Sequence, residues 1–143
     1  MPGGLVAWES TYDVGGVSGP DGANRLLLCT GMGALGQTGM SLEPNEDATT
    51  TWIWRVGPEL THREFHRAMA TVSVSQHSVY FRDAPTVNSR HHFAFRNVDA
   101  DWDDEAKRAQ LRVEVEMGTG PGVVQVLNSV LYTVTILAEE PPA

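Results

Sequence analysis

Cationic residues are scarce in this 143-residue chain: ten Lys and Arg stand against eighteen Asp and Glu, for a net charge of −8. Nucleic-acid phosphates are neutralised by Lys and Arg, so this balance argues against a nucleic-acid partner. It argues equally against an anionic membrane surface. Cysteine is scarcer still. Cys29 is the only one, so no disulfide forms within the chain. Its place in the run Leu26-Leu-Leu-Cys-Thr30 reads as a small buried hydrophobe rather than a nucleophile. Long apolar runs are also missing, and none approaches the roughly 18 residues of a membrane helix. The segment Met1-Pro-Gly-Gly-Leu5 has no basic region ahead of an apolar stretch, so no signal peptide is visible. A virion or cytoplasmic location is the expectation.

What the chain does have is alternation. From Gln110 to Met117, Leu111, Val113, Val115 and Met117 take one side, while Gln110, Arg112, Glu114 and Glu116 take the other. Period two is the signature of a strand with one face in a core and one in water. Gly118-Thr-Gly-Pro-Gly122 breaks the chain, and Val123 to Leu137 returns as a longer β-rich stretch. It reads either as one strand bent by a bulge at Asn128 or as a hairpin turning at Asn128-Ser129. One strand of that length exceeds what a small sandwich needs, and its edge could pair with another chain.

Further strands are expected over Leu5–Tyr12, with Val6, Trp8 and Tyr12 on one face, and over Arg25–Thr30, whose continuous apolar run suits a strand covered on both sides. Thr49–Val56 places Trp52, Trp54 and Val56 together, and His91–Val98 turns Phe93 and Phe95 inwards. Thr71–Arg82 slips in phase at Gln76-His-Ser78, which predicts a bulge or turn there. Asp13–Asn24 and Gly31–Asp47 read as Gly-rich loops. Thr61 and Glu64 form a capping box, with Leu60 and Phe65 at staple positions, so one short helix is expected near 62–70. The fold class is all-β: a single antiparallel β-sandwich domain over 1–143, jelly-roll or Ig-like, of about seven to eight strands.

No motif brings chemistry with it. Gly31-Met-Gly-Ala-Leu-Gly36 matches G-x-G-x-x-G, but Gly39 and Pro44 oppose the helix whose N-terminus would meet a pyrophosphate. Asp99-x-Asp101-x-Asp103 starts like a calcium loop, yet Asp104 and Gln110 stand where an EF-hand needs Gly and Glu; a solvated acidic turn is the plainer reading. It suits one or two helical turns or a polar hairpin loop. His62 and His66 would share a helix face as zinc ligands do, with a third ligand from His77, His91 or His92. Adjacent His91 and His92 point to opposite faces of a strand. Cys29 and Ser41 lack the surroundings of a nucleophile. No catalytic, cofactor-binding or metal residue is therefore assigned, and no cofactor is expected.

The reading that remains is a non-enzymatic structural or assembly protein, a small virion-type coat, decoration or tail subunit. Its partners would be copies of itself or other subunits, meeting through a sheet edge or an apolar patch with the Gly-rich loops. The alternative is a lectin-like carbohydrate-binding sandwich, in which at least two of Trp8, Trp52, Trp54 and Trp102 share an exposed surface and the Asp99–Glu105 turn holds calcium. A small metal-dependent enzyme using the histidines comes third.

Overall fold

In a computed structural model, which describes residues 2–19 and 22–139, eight antiparallel strands form two facing sheets. They are β1 (Leu5–Gly19), β2 (Gly22–Ala34), β3 (Met40–Leu42), β4 (Asp47–Val56), β5 (Phe65–Phe81), β6 (His91–Asp103), β7 (Arg108–Thr119) and β8 (Val123–Glu139). The larger sheet runs β1-β2-β8-β5, with β3 continuing along β8 where β2 ends. The smaller sheet runs β4-β7-β6. One apolar core lies between them, built from Leu27 and Cys29 of β2, Trp54 and Val56 of β4, Leu111 to Met117 of β7, and Val130 to Ala138 of β8.

The strand β7 follows its alternation without deviation: Leu111, Val113, Val115 and Met117 are all fully buried. The strand β8 is one strand, not a hairpin. Its alternating burial runs through Val123, Gln125 and Leu127, with Val124 buried besides, and from Val130 through the even-numbered positions. The register explains the change, because Gln76 pairs with Ser129 and His77 with Leu127, leaving Asn128 as the extra residue of a bulge. Asn128 is also where β2 gives way to β3, and its carbonyl accepts the Leu35 N–H at 3.0 Å. Both edges of β8 are thus occupied by β2, β3 and β5 of the same chain. The excess edge expected from its length is covered internally.

The helix near 62–70 does not form. Its capping box does: Glu64 N–H donates to Thr61 Oγ1 at 3.2 Å, and Thr61 N–H donates to Glu64 Oε1 at 3.0 Å. The chain makes one turn, closed by Phe65 N–H to the Thr61 carbonyl at 3.1 Å, and then enters β5. Two helical turns are marginal by themselves, whereas the open edge of β8 offers a ladder from Ala138 to Val123. Ala68 and Ala70 continue the alternation of Val72 and Val74 and join the core margin with them. The predicted phase slip in β5 is present, with register shifts at Val74/Gln76 and Gln76/His77.

Two loops shrink. Residues 13–24, expected as a loop, mostly extend the β1–β2 hairpin; its tip, Pro20-Asp21, lies outside the described residues. The acidic segment 99–108 is strand to Asp103, a turn, and strand again from Arg108. A bulge between Val6 and Trp8 also separates residues expected on one face, turning Val6 to the core and Trp8 outwards.

Candidate functional site

The outward faces of the two sheets differ in kind. On the smaller sheet, period two sends the polar half of β7 to solvent, where it meets charged neighbours. Arg96 pairs with Glu116 at 2.5 Å, and Arg55 pairs with Asp103 at 2.9 Å. The Arg55 guanidinium hydrogen-bonded to Asp103 holds that carboxyl below its ordinary range. Asp99 and Asp101 lie opposite Arg112 and Gln110. The acidic cluster is therefore part of a cross-strand charge lattice, the ordinary solvated face of a sheet.

The larger sheet presents something else. Its side chains align across β1, β2, β8 and β5 in rows. The first is Trp8, Met32, Leu131 and Ser73. The second is entirely hydroxyl: Ser10, Thr30, Thr133 and Thr71. The third is Tyr12, Leu28, Thr135 and Met69, and the fourth Val14, Leu26, Leu137 and Arg67. Arg67 is the single charged side chain in the four rows. Trp8 is 50% exposed, Tyr12 68%, Met69 65% and Leu131 38%. The hydroxyl row is lower than its neighbours, and beside Trp8 and Leu131 it forms a shallow depression of about 460 Å³.

Leu26 and Leu28 sharpen the contrast. Their run suggested cover on both sides, but only Leu27 and Cys29 are buried; Leu26 and Leu28 are left half-covered on the outer face. The face thus combines apolar rows with a row of hydroxyls and carries one charged side chain, Arg67, within the four rows.

The individual candidates fall elsewhere. His62 and His66 lie on a turn and a strand rather than a helix, so their four-residue spacing does not bring them together. The His62 ring packs on Trp102 at 4.9 Å between centroids, and Lys107 Nζ sits 5.3 Å from the same indole. Among the described residues, no group of three or more His, Cys, Asp or Glu is placed to hold a metal. His91 and His92 do diverge: the His91 ring stands 6.1 Å from His77, while His92 Nε2 lies 3.8 Å from Glu116 on the outer face.

Glycines 31 and 33 of the G-x-G-x-x-G match sit inside β2, where a Cβ would lie 2.5 Å from Tyr132 Oη at Gly31 and 2.6 Å from Trp54 Nε1 at Gly33. Their spacing serves packing. Trp52 and Trp54 are core residues, and Trp102 belongs to the opposite sheet from Trp8. Among the described residues, no two exposed tryptophans share a surface.

Two polar groups that the sequence did not single out cross the interior. Gln125 is fully buried, and its Nε2 donates to the carbonyls of His92 and Gly118, both at 3.1 Å. Glu9 accepts the Gly57 N–H at 2.8 Å and the Tyr132 hydroxyl. Burial first, and then the bond to Glu9, push the Tyr132 phenol far above its ordinary value. Burial likewise pushes the Cys29 thiol up, so this cysteine is held as the protonated, unreactive form. Gln125, Glu9 and Tyr132 tie the sheets together. No protein-family model matches the chain, and no significantly similar curated protein or solved structure was found. Among the described residues, no helix is long and apolar enough to cross a membrane.

Proposed function

We propose that this chain is a non-enzymatic structural subunit of an assembly, of the kind that forms the coat, decoration or tail of a virus particle. The observation that carries the reading is the uncharged outer face of the β1-β2-β8-β5 sheet. Exposed apolar area of this kind is stabilised when a partner removes it from water, at roughly 25 cal/mol per Å². The opposite sheet carries a charge lattice suited to permanent contact with solvent. One wet face and one neutral face suit a particle subunit better than a free monomer. The interface lies on a sheet face rather than on the edge of β8, which the chain covers itself.

Mass measurement in solution tests the reading. A defined oligomer is expected at micromolar concentration. A chain that stays monomeric at the highest attainable concentration would overturn self-assembly.

The carbohydrate-binding alternative keeps one observation, the indole of Trp8 beside the hydroxyls of Thr30, Thr71 and Thr133. Aromatic rings stack on sugars and hydroxyls orient them, so this depression has the right chemistry for a single residue of glycan. A glycan array, read with and without calcium, is expected to be blank under the assembly reading. Specific binding lost in Trp8→Ala would favour the alternative.

A further inference from the structure

Resting on the assembly reading, we infer that the occupant of the uncharged face is the same face of a second copy, related by a two-fold axis lying across the strands between the Trp8 row and the Thr30 row. Three features select a second copy.

The first is charge. The chain carries −8, and most surfaces that two copies might bring together repel. The four rows hold only Arg67, at one corner, and Glu139 one row further along β8 is paired with Arg63, so two copies meet there without a like-charge penalty. Within the four rows a basic partner would find no anion to recognise, and an acidic one only a corner arginine.

The second feature is relief. A bulky row with Trp8, Met32 and Leu131 runs alongside a low row of Ser10, Thr30 and Thr133. A two-fold axis between these rows places each copy's bulky row over the other's low row. Leu131 then faces the partner copy's threonine at the position of Thr133, and the indole of Trp8 faces a serine. This interlocking is isologous and closes at two copies. Sheets packed this way stack about 10 Å apart with interdigitating side chains.

The third feature is size. Four strands about 4.8 Å apart, over eight residues rising about 3.3 Å each, give roughly 500 Å² of flat projection per copy. An axis between the first two rows lays each copy's Tyr12 row over the other's Leu5–Ala34 row. The rows from Leu5 to Tyr12 therefore face each other, about 1,000 Å² for the pair, and the row of Val14 and Arg67 lies outside.

The test places charge near the axis. Thr133→Glu brings two carboxylates together in a homodimer, and Thr133→Lys brings two ammonium groups together. Native mass spectrometry and light scattering are expected to show each variant at half the wild-type mass, with dimer affinity weakened at least 100-fold. An equimolar mixture of the two is expected to recover the dimer mass, because opposite charges then meet. Circular dichroism and thermal melting establish that each variant is folded. Should Thr133→Glu fail to fold, Ser10→Glu and Ser10→Lys on the exposed β1 strand provide the same comparison.

Two failures are distinguishable. A wild-type oligomer whose mass is unchanged by all four variants would refute this face and leave assembly standing. A wild-type monomer would refute both.

Discussion

His77 donates to Gln125 through Nε2, across 2.8 Å, and two carbonyl groups fix the position of that proton. The Gln125 amide nitrogen must face the carbonyls of His92 and Gly118, which can only accept. Its oxygen is thereby turned to His77, which must carry its hydrogen on Nε2. One fully buried side chain from β8 thus bridges β5, β6 and β7. Replacing it by leucine strands two buried carbonyls and is expected to cost on the order of 3 kcal/mol. Chemical denaturation measures this, and loss of the Nε2–H signature of His77 in nitrogen-detected NMR accompanies it.

Trp54 is held as closely. Its Nε1 donates to the Ala34 carbonyl at 3.1 Å, and the backbone at Gly33 leaves no room beside the indole. Gly33→Ala is expected to displace the ring and destabilise the chain by roughly 1–3 kcal/mol, as overpacking does. The melting temperature and the tryptophan emission maximum should shift together. Gly4→Ala, whose Cβ would collide with the same nitrogen, should do the same unless the segment before β1 moves away.

Acid should weaken the fold in a defined window. The Asp103 carboxyl is lowered chiefly by its bond to Arg55, and Glu64 chiefly by the Thr61 N–H. For such groups the stabilisation is present above the unfolded value near pH 4 and is lost as pH falls through the folded value. Asp103→Asn is expected to flatten that decline. Urea titrations at pH 6 and pH 3 compare the slopes; equal declines in variant and wild type would refute the assignment.

At the alkaline end the group is Tyr132, whose folded value is raised by burial and then by Glu9. Its stabilisation is complete below the unfolded value near 10 and declines as pH rises beyond it. The phenolate absorbance that develops before unfolding should be the same in Tyr132→Phe and wild type. At neutral pH the variant leaves Glu9 Oε2 without the Tyr132 donor, Oε1 keeping the Gly57 N–H, and should lose about 1–2 kcal/mol.

Much of the fold was legible locally. Strict alternation over 110–117 reports burial residue by residue, because period two leaves each side chain only one face to occupy. The bulges near Gln76 and Asn128 show as changes of parity. The region 61–70 misleads because a capping box satisfies its own donors equally well in a single turn as in a helix. The choice between helix and strand beyond that turn depends on the open edge of β8, where Phe65 pairs with Ala138 and Ala70 with Val134 far along the chain. The zinc-like spacing of His62 and His66 fails with the helix it presumed. Gln125 gave no signal, since a polar residue within an apolar run does not announce partners on other strands.

The sequence by itself determined the class of fold, the inward halves of β4 and β7, and the burial of Cys29, because periodicity and apolar runs are properties of neighbours in the chain. Only tertiary structure decided which sheet face would stay uncovered. The run Leu26 to Cys29 is equally apolar on both sides, and nothing local says that β4 and β7 will shield only one of them. Pairing β1, β2, β8 and β5 into one sheet gathers four ordinary stripes into a single uncharged surface. That surface exists only through long-range register, which is why the function proposed for it could not be read strand by strand.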